Sequence, residues 1–300
     1  MEGTKQRVRE FYDEVGWMQD SNGLFQNARY EDLRPVSREY VHKCHLRVNR
    51  YISPAGRCLL DAGSGPVQWP EYLTYSSGYR FRVCADISIT ALKAARDKLG
   101  DRGLYVVADI VKLPFPRDIF DGVVSMHAIH HLPANEHRAA YIELHRVLAP
   151  GKAGVAVNGW YRPLLMRLAE PFIRLGRLLA GRDPKTKKVW IEAELQEGTF
   201  VNKMTPSMLR SELAGAIDYD IFPWRSLSPR LMQWFIRPRL GGALLLQLVF
   251  WFEERFPRFF GENGQYPLIV FRKPELRHGD GRTEKPQDPG RGTQNNERVG

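Results

Sequence analysis

The segment LLDAGSGP, residues 59–66, decides the fold that this chain can adopt. A short apolar run contains an acid, Asp61, and leads into a turn that holds Gly63 and Gly65. Glycine in such a turn lets the backbone approach a ligand closely and adopt a positive φ, which a side chain would hinder. A glycine pair after a strand is also common in ordinary turns, so the segment predicts a ligand-binding turn only together with its neighbours.

Two further acids follow the next apolar runs of the chain. Asp86 lies in the segment VCADI and Asp109 lies in the segment VVADI. An acid about 20 residues beyond a glycine-rich turn is placed to bind the two hydroxyl groups of a ribose, although Asp86 could instead cap the following helix. Three strands that finish with a carboxylate predict a ligand-binding site at one edge of a sheet.

An alternating series of apolar runs and polar helical stretches begins at Arg57. We predict strands at 58–60, 81–85, 104–108, 122–126, 154–157, 217–222 and 267–272. The clearest crossover helices cover 91–99 and 141–148. This rhythm is typical of an α/β fold, here a Rossmann-like doubly wound seven-stranded sheet with parallel strands, helices on both faces and helical cap insertions.

Helical segments flank and interrupt this core. We predict a helical N-terminal region over 1–56, in which Pro35 begins a helix that runs to about Tyr51. The core covers 57–158, a helical insertion covers 159–203, and residues 204–273 complete the core with a second helical insertion at 229–260. Residues 274–300 offer almost nothing apolar to bury, so we predict a disordered tail there.

Between residues 11 and 159 the chain resembles the class I S-adenosylmethionine-dependent methyltransferases, in particular the small-molecule group related to the ubiquinone and menaquinone methyltransferases. Four segments carry the resemblance: LLDAGSGP, CADIS, ADIVKLPF, and FDGVVSMHAIHHL followed by ELHRVLAPGK. A nicotinamide dehydrogenase would share the strand, the turn and the acid, but it would not account for ADIVKLPF or HRVLAPGK. The order of these segments is specific to the superfamily and not to any methyl acceptor.

The resemblance implies which residues would bind the methionine end of S-adenosylmethionine. Gly63 and Gly65 would line the amino acid part of the cofactor, and Asp61 would be oriented toward its ammonium group. His127, just past the fourth strand, would approach the methionine portion. The third glycine that is usual in the family is Val67 in this chain, which implies a stiffer loop.

The resemblance also implies how the nucleoside end would be held. Asp86 would bind the ribose hydroxyl groups, with Ile87 beside the adenine. Asp109 would accept a hydrogen bond from the exocyclic amine of the adenine, with Ile110 packed nearby.

Three histidines, His127, His130 and His131, lie on the predicted loop after the fourth strand. Methyl transfer from a sulfonium needs a base only when the acceptor must lose a proton, and histidine is suited to that near neutral pH. We predict His130 or His131 as the base; the alternative is that His131 caps the next helix or packs under the loop. Three histidines on one short loop rarely converge on one ion, so we predict no metal site.

The N-terminal segment resembles the helix that folds over the cofactor as a lid in this group of methyltransferases. Tyr12 and Trp17 are the candidate lid and substrate residues. A lid would exclude water from a reactive sulfonium. The alternative is a surface helix whose aromatic residues serve only as packing anchors.

Composition excludes some classes of protein. Hydrophobic residues make up 43% and charged residues 26% of the chain, which is typical of a folded globular protein. Three cysteines without CxxC spacing and an N-terminus without an apolar region favour a reducing cytoplasm. The apolar run at 240–252 is too short to span a bilayer, which takes about 20 residues. The net charge of +10 favours anionic partners without selecting one.

Two basic, apolar segments at 160–181 and 231–260 interrupt the common core. We predict that both pack as a cap over the site, either as a cap alone or as one that also touches an anionic membrane on its cytoplasmic face. Pro171 is expected to kink the first segment. The apolar stripe of that segment consists of Leu164, Leu165, Leu168, Phe172, Leu175 and Leu179.

These features predict transfer of a methyl group from S-adenosylmethionine to a small, hydrophobic or lipid-like, hydroxylated or aromatic acceptor. One alternative is a catalytically silent methyltransferase-like binding module, against which the three intact acids argue. Another is an RNA methyltransferase. The chain has no [ND]PP[YF] segment, no Pro-Cys nucleophile motif and no basic, aromatic RNA-binding module, so nucleic acid is the less favoured partner.

Overall fold

Seven strands of the described residues form one sheet in the order β3-β2-β1-β4-β5-β7-β6. The computed structural model describes residues 2–19, 21, 23, 25, 28, 31–179 and 200–275. The predicted tail from residue 276 onward and residues 180–199 of the first predicted insertion lie outside these ranges. The strands are β1 (Gly56–Ala62), β2 (Tyr79–Asp86), β3 (Gly103–Val107), β4 (Gly122–Met126), β5 (Ala153–Val157), β6 (Asp218–Arg225) and β7 (Tyr266–Arg272).

The sheet is mixed, which corrects the expectation of a parallel sheet at one strand. β1 pairs in parallel with β2 and β4, and β2–β3 and β4–β5 are also parallel pairs. β7 runs antiparallel to both β5 and β6. The segment between β6 and β7 is helical and returns the chain to the edge of the sheet that it left. A strand that re-enters at that edge must run in the opposite direction, so the seven predicted strands are confirmed but β7 is reversed.

The α-helices of the described residues lie before, between and after these strands. They are α1 (Glu2–Phe11), α2 (Pro35–Leu46), α3 (Pro70–Thr74), α4 (Ile89–Leu99), α5 (Ala134–Val147), α6 (Leu164–Leu179), α7 (Pro206–Leu213), α8 (Pro229–Phe235), α9 (Gly242–Arg255) and α10 (Pro257–Asn263). A π-helical turn, Tyr12–Gly16, continues α1. Within this part of the chain, no helix combines the length and the apolar character that a membrane span requires.

Local sequence accounts for most helix starts. Thr205 caps α7, as its side chain accepts a hydrogen bond from the backbone N–H of Met208 at 3.2 Å. Pro35 occupies the first turn of α2 as predicted, but that α-helix ends at Leu46 and a 3₁₀ turn continues it to Arg50. α5 begins at Ala134, seven residues before the predicted start at 141, because its first turns are polar and exposed and carry a weak apolar pattern.

Helices bury both faces of the sheet. Alternate residues of β1 enter different cores: Leu60 and Ala62 belong to one apolar cluster, and Leu59 belongs to the other. Such alternation follows from the two-residue period of a strand, and burial on both sides is typical of doubly wound sheets. The doubly wound α/β fold predicted from the sequence is therefore confirmed.

A third apolar cluster fixes α8 and α9 against α2. It joins residues of all three helices, namely Tyr40, Val41, Cys44, Met232, Ile236 and Leu246. The fully buried Glu253 of α9 accepts hydrogen bonds from the Tyr40 hydroxyl at 2.6 Å and from the backbone N–H of Ser226 at 2.8 Å. These polar contacts hold the helices at the carboxyl end of β6.

Candidate active site

The glycine-rich turn after β1 contains three residues with positive φ. Gly63 has a φ of +69° and Gly65 a φ of +53°, which glycine adopts without strain. Val67 stands where the family usually has a third glycine, and its φ is +48°. This conformation is rare for a β-branched residue, and such strain concentrates at functional sites. Val67 is buried and therefore held in this conformation by its packing.

Asp86 joins the end of β2 to the glycine-rich turn. One oxygen of its carboxylate accepts a hydrogen bond from the backbone N–H of Gly65, and the other accepts one from Ser88, both at 2.8 Å. Burial raises the pKa of Asp86 to about 6, and the nearby carboxylates of Asp61 and Asp13 act in the same direction. Ile87, the next residue, is half-buried. The carboxylate thus lies beside the turn that would hold the ligand.

Asp61 forms a buried ion pair that the sequence analysis missed. Its Oδ2 accepts hydrogen bonds from Nε of Arg82 at 3.1 Å and from Nη2 of the same side chain. Arg82 also donates to the carbonyl oxygen of Tyr72. The signal was available as an arginine inside the otherwise apolar run of β2, because a buried arginine requires an acidic partner.

Asp109 is covered by the N-terminal helix. Nζ of Lys5 lies 2.5 Å from Asp109 and 2.7 Å from Glu136, so one lysine bridges two acids from different elements. Ile110, the residue after Asp109, is buried in the core. The sequence analysis did not identify Lys5, whose partners are more than a hundred residues away.

The segment after α1 lies over the glycine-rich turn. A Cβ atom placed on Gly65 would lie 3.1 Å from the ring of Trp17. Trp17 stacks on Tyr12 with a centroid distance of 4.9 Å and an interplanar angle of 20°. Asp13 accepts a hydrogen bond from the hydroxyl of Ser88 at 2.5 Å. The two predicted lid residues are thus brought to the same turn as the predicted cofactor residues.

The geometry defines the protonation of His131. Its Nδ1 lies 2.8 Å from the carbonyl oxygen of Phe200, which can only accept a hydrogen bond. Nδ1 therefore carries the proton, and Nε2 accepts from the hydroxyl of Tyr12 at 2.9 Å. Burial lowers the pKa of His131 to about 4, which keeps the ring neutral. The lone pair that a base would use is engaged by Tyr12.

His130 is held by a different neighbour. Its Nδ1 lies 3.2 Å from Oδ1 of Asn158, whose amide nitrogen donates to the hydroxyl of Tyr141 at 3.2 Å. Asn158 thus offers its oxygen to Nδ1–H, and Nε2 of His130 keeps a lone pair. Burial lowers the pKa of His130 well below its usual value, assisted by His131 and His127. His130 also lines a narrow pocket with Trp160 at the carboxyl end of β5.

His127 lies between the cofactor side of the site and the carboxyl end of β6. Its φ of +59° is unusual for a residue other than glycine. Its ring contacts the rings of Trp224 and Tyr266 at centroid distances of 5.0 and 5.5 Å. Burial lowers the pKa of His127 to about 3, with a contribution from the positive charge of Arg225. The sequence analysis missed Trp224, Arg225 and Tyr266, which follow no motif.

All of these groups meet at one edge of the sheet. The acids follow β1, β2 and β3, the histidines follow β4, Asn158 follows β5, and Trp224 ends β6. The antiparallel β7 begins at this same edge with Tyr266. Among the described residues, no group of three potential ligands has the geometry to hold a metal ion.

Residues 60–155 match the family described as a methyltransferase domain. The chain is 25% identical over 197 residues to the ubiquinone/menaquinone biosynthesis C-methyltransferase of Coxiella burnetii, an alignment that covers 59% of this chain and 77% of that protein. It is 38% identical over 134 residues to a tRNA (carboxymethyluridine(34)-5-O)-methyltransferase of Arabidopsis thaliana, covering 39% of this chain and 31% of that protein.

Among solved structures, the fold is similar to that of the geranyl diphosphate C-methyltransferase of Streptomyces coelicolor A3(2), with a TM-score of 0.52 and 18 fewer than one in five residues identical, at 14%. The match covers 90% of this chain and 97% of that one. The chain spans about half the length of several other curated ubiquinone/menaquinone methyltransferases that it matches. Together with the sheet order and the site at its carboxyl edge, these similarities identify the chain as a class I S-adenosylmethionine-dependent methyltransferase related to the ubiquinone and menaquinone methyltransferases.

Proposed function

We propose that this chain transfers the methyl group of S-adenosylmethionine to a small, hydrophobic or lipid-like acceptor that carries a hydroxyl group or an aromatic ring. The observation that carries the proposal is the convergence of Asp86, the glycine-rich turn and the histidine loop at one edge of the sheet. The alternatives are a catalytically silent binding module and an RNA methyltransferase. The strained backbone at Val67 and His127 argues against the silent module, because strain of this kind persists where function uses it.

The residues at the edge of the sheet fit the parts of the cofactor. The carboxylate of Asp86 would accept hydrogen bonds from the ribose hydroxyl groups, with Ile87 beside the adenine. Gly63 and Gly65 present no side chain to the methionine part, which would lie between the turn and His127. Asp109 would bind the adenine amine after Lys5 yields its place, because Lys5 now pairs with the same carboxylate.

The chemistry asks little more of the protein than alignment, exclusion of water and removal of a proton. When bound, the cofactor supplies a methyl group on a positively charged sulfur that leaves as a neutral thioether. Nε2 of His130 would accept the proton of an acceptor hydroxyl, while Asn158 holds the opposite side of the ring. Tyr12 and Trp17 would close over the site and keep water away from the sulfonium.

Calorimetric titration with S-adenosylmethionine and S-adenosylhomocysteine tests the proposal. We expect micromolar binding of both, loss of binding in Asp86→Ala and no response to NAD. Asp13→Ala, which removes a neighbouring carboxylate, is the matched control. A folded protein that binds neither compound would make the silent module the better explanation.

An exposed apolar surface on α9 and α10 supports contact with a membrane. α9 buries Leu246 on one face, yet its opposite face is also apolar. The exposed residues are Leu240, Leu244, Leu245, Leu248, Trp251, Phe252, Phe256 and Phe259, with exposed fractions from 44% to 81%. Such a contiguous apolar patch is unusual on a monomeric protein.

Arginines surround this patch. Arg237, Arg239, Arg255 and Arg258 are all exposed, and they would favour the negatively charged surface of a lipid bilayer. The same helical region contacts the site, as Nε1 of Trp160 donates to the carbonyl oxygen of Gly261 at 2.8 Å. We therefore propose that the protein binds an anionic membrane surface peripherally and takes its acceptor from there.

Flotation with vesicles tests this second part. We expect flotation with phosphatidylcholine vesicles that contain phosphatidylglycerol, and loss of flotation at high salt, because surface charges are then screened. Leu248→Ser/Trp251→Ser should abolish flotation. Leu104→Ser/Val107→Ser removes two exposed apolar residues from the distant edge strand β3 and should leave it unchanged. A wild-type protein that stays at the bottom of a low-salt gradient, or that self-associates through the patch, would contradict membrane binding.

A further inference from the structure

The end of β6 carries an irregularity that alters the direction of two side chains. Pro223 pairs with Pro267 of β7 and Arg225 pairs with Tyr266, so Trp224 is the extra residue of a β-bulge. Neighbouring residues of a regular strand point to opposite faces, but here the guanidinium carbon of Arg225 lies 5.2 Å from the Trp224 ring and 4.9 Å from the Tyr266 ring. Bulges next to active sites commonly redirect side chains in this way.

Three polar atoms of this region are buried without a hydrogen-bond partner. They are Nε1 of Trp224, Nε of Arg225 and Nε2 of His45. Each of the three residues is at most 2% exposed. A buried donor or acceptor that lacks a partner is costly, and native proteins retain few of them, so three in one cluster call for a ligand.

The three atoms belong to one aromatic cluster beside the reacting groups. The His45 ring stacks on Trp224 with a centroid distance of 5.1 Å and an interplanar angle of 13°. On its other side, Trp224 contacts His127, the residue proposed to approach the methionine part of the cofactor. The cluster therefore lies at the acceptor end of the site, beyond the cofactor.

The hydrogen-bonding pattern of the cluster specifies an oxygen. Trp224 Nε1–H and Arg225 Nε–H are donors. Nδ1 of His45 lies 3.4 Å from a carboxylate oxygen of Glu71 and so carries the proton, which leaves Nε2 as an acceptor. One hydroxyl group can accept from both donors and donate to His45, and a carbonyl oxygen can accept from both donors.

The charges of the cluster favour an uncharged oxygen. Nη1 of Arg225 forms an ion pair with Glu31 at 2.5 Å, and both side chains are almost fully buried. The guanidinium charge is thus balanced before any ligand binds. An anionic group would bring an additional buried charge without a new counterion, which is unfavourable in a dry site.

We propose that Trp224, Arg225 and His45 form a subsite that binds an uncharged hydroxyl or carbonyl oxygen of the methyl acceptor. The subsite rests on the proposed function, since it assigns a recognition group to the acceptor of that reaction. It holds the oxygenated end of the acceptor against the rings of Trp224 and Tyr266, and thereby orients the reacting atom toward the cofactor.

Three small probes of similar shape test the subsite on protein saturated with S-adenosylhomocysteine. Phenol offers an uncharged oxygen, toluene offers none, and benzoate offers an anion. Binding is measured by ligand-detected NMR. We expect phenol to bind more tightly than toluene and benzoate. Trp224→Phe keeps an aromatic ring but removes the donor, so the preference for phenol over toluene should fall about three- to tenfold, the range of one neutral hydrogen bond. Trp251→Phe makes the same change on the exposed face of α9 and should leave the preference unchanged.

A crystal of the S-adenosylhomocysteine complex soaked with phenol gives a readout that needs no substitution. The phenol oxygen is expected within about 3.2 Å of Trp224 Nε1 or Arg225 Nε. Equal affinity for phenol and toluene, tighter binding of benzoate, or a phenol oxygen elsewhere in the site would each overturn the subsite. Failure of S-adenosylhomocysteine itself to bind would instead contradict the proposed function, so the two failures are distinguishable.

Discussion

At the scale of the residue, the site depends on ionisable groups whose environment sets their protonation. Asp86, His127, His130 and His131 are all removed from water, and burial shifts the pKa of each toward its neutral form. The acid is affected within the range in which enzymes are assayed, whereas the histidines are neutral throughout it. A pH dependence near pH 6 therefore belongs to Asp86.

We expect the affinity for S-adenosylhomocysteine to fall as the pH drops through about 6. The carboxylate of Asp86 accepts hydrogen bonds from the ligand, but its raised pKa means that the ligand-free protein is protonated below that value. Binding must then release a proton, so the dissociation constant should rise up to about tenfold for each pH unit below 6 and stay constant above 7. Calorimetry across this range measures it. Asp86→Asn should bind weakly with a flat profile, and a flat wild-type profile would show that Asp86 does not contact the ligand.

His130→Ala and His131→Ala should each lower turnover while cofactor affinity stays nearly intact. A general base contributes about 100-fold or more, and we expect the larger loss for His130, whose Nε2 keeps a lone pair. Tyr12→Phe should equal His131→Ala, and the double variant should be no worse than either, because the two groups share one hydrogen bond. Single-turnover rates with an acceptor found by screening measure this, alongside calorimetry. Loss of cofactor binding in His130→Ala would refute its role as base.

At the scale of the element, the N-terminal segment connects distant parts of the site. α1 brings Lys5 to Asp109, and the following turn brings Tyr12 to His131 and Trp17 to Gly65. A segment that bonds to three separate loops can close them together or leave them together. Its contacts are mostly polar and partly exposed, which keeps the cost of opening low.

Removal of residues 1–18 should weaken the binding of S-adenosylhomocysteine by more than about tenfold and slow turnover, because the lid excludes water from the ligand. Lys5→Gln separates the ion pair from the lid. Since Lys5 and Asp109 are 23% and 33% exposed, that substitution should change affinity by less than about fivefold. Equal affinity and turnover in the truncated and full-length proteins would leave α1 with a packing role alone.

At the scale of the whole molecule, the ligand should stabilise the entire sheet. The acids and histidines of the site sit on β1, β2, β3 and β4, and the same sheet continues through β5 and β7 to β6. A ligand that binds only the folded protein adds to the free energy of unfolding of whatever unit unfolds with the site.

S-adenosylhomocysteine at one hundred times its dissociation constant should raise the free energy of unfolding by about 2.7 kcal/mol, and the midpoint by several degrees, for a domain of this size. Denaturant unfolding followed by circular dichroism and by tryptophan fluorescence measures the change. Asp86→Ala should show no shift. Two separate transitions, with only one of them shifted, would mean that the cap and the sheet unfold independently.

Local pattern was sufficient for the strands, the glycine-rich turn and the three acids. An apolar strand that ends in an acid and a glycine has few other uses, so 59–66, Asp86 and Asp109 could be assigned to one edge before the fold was known. The starts of α2 and α7 were equally local, since Pro35 and Thr205 act on their own helices.

Only the tertiary structure decided the direction of β7, the partners of the acids and the acceptor end of the site. Arg82 beside Asp61, Lys5 on Asp109, and Trp224 and Arg225 beside His127 are pairings between residues far apart in the chain. The lone pair of His131 is occupied for the same reason, because Tyr12 comes from a separate helix. Spacing along a chain predicts what lies within one element, whereas long-range contacts depend on how the elements pack.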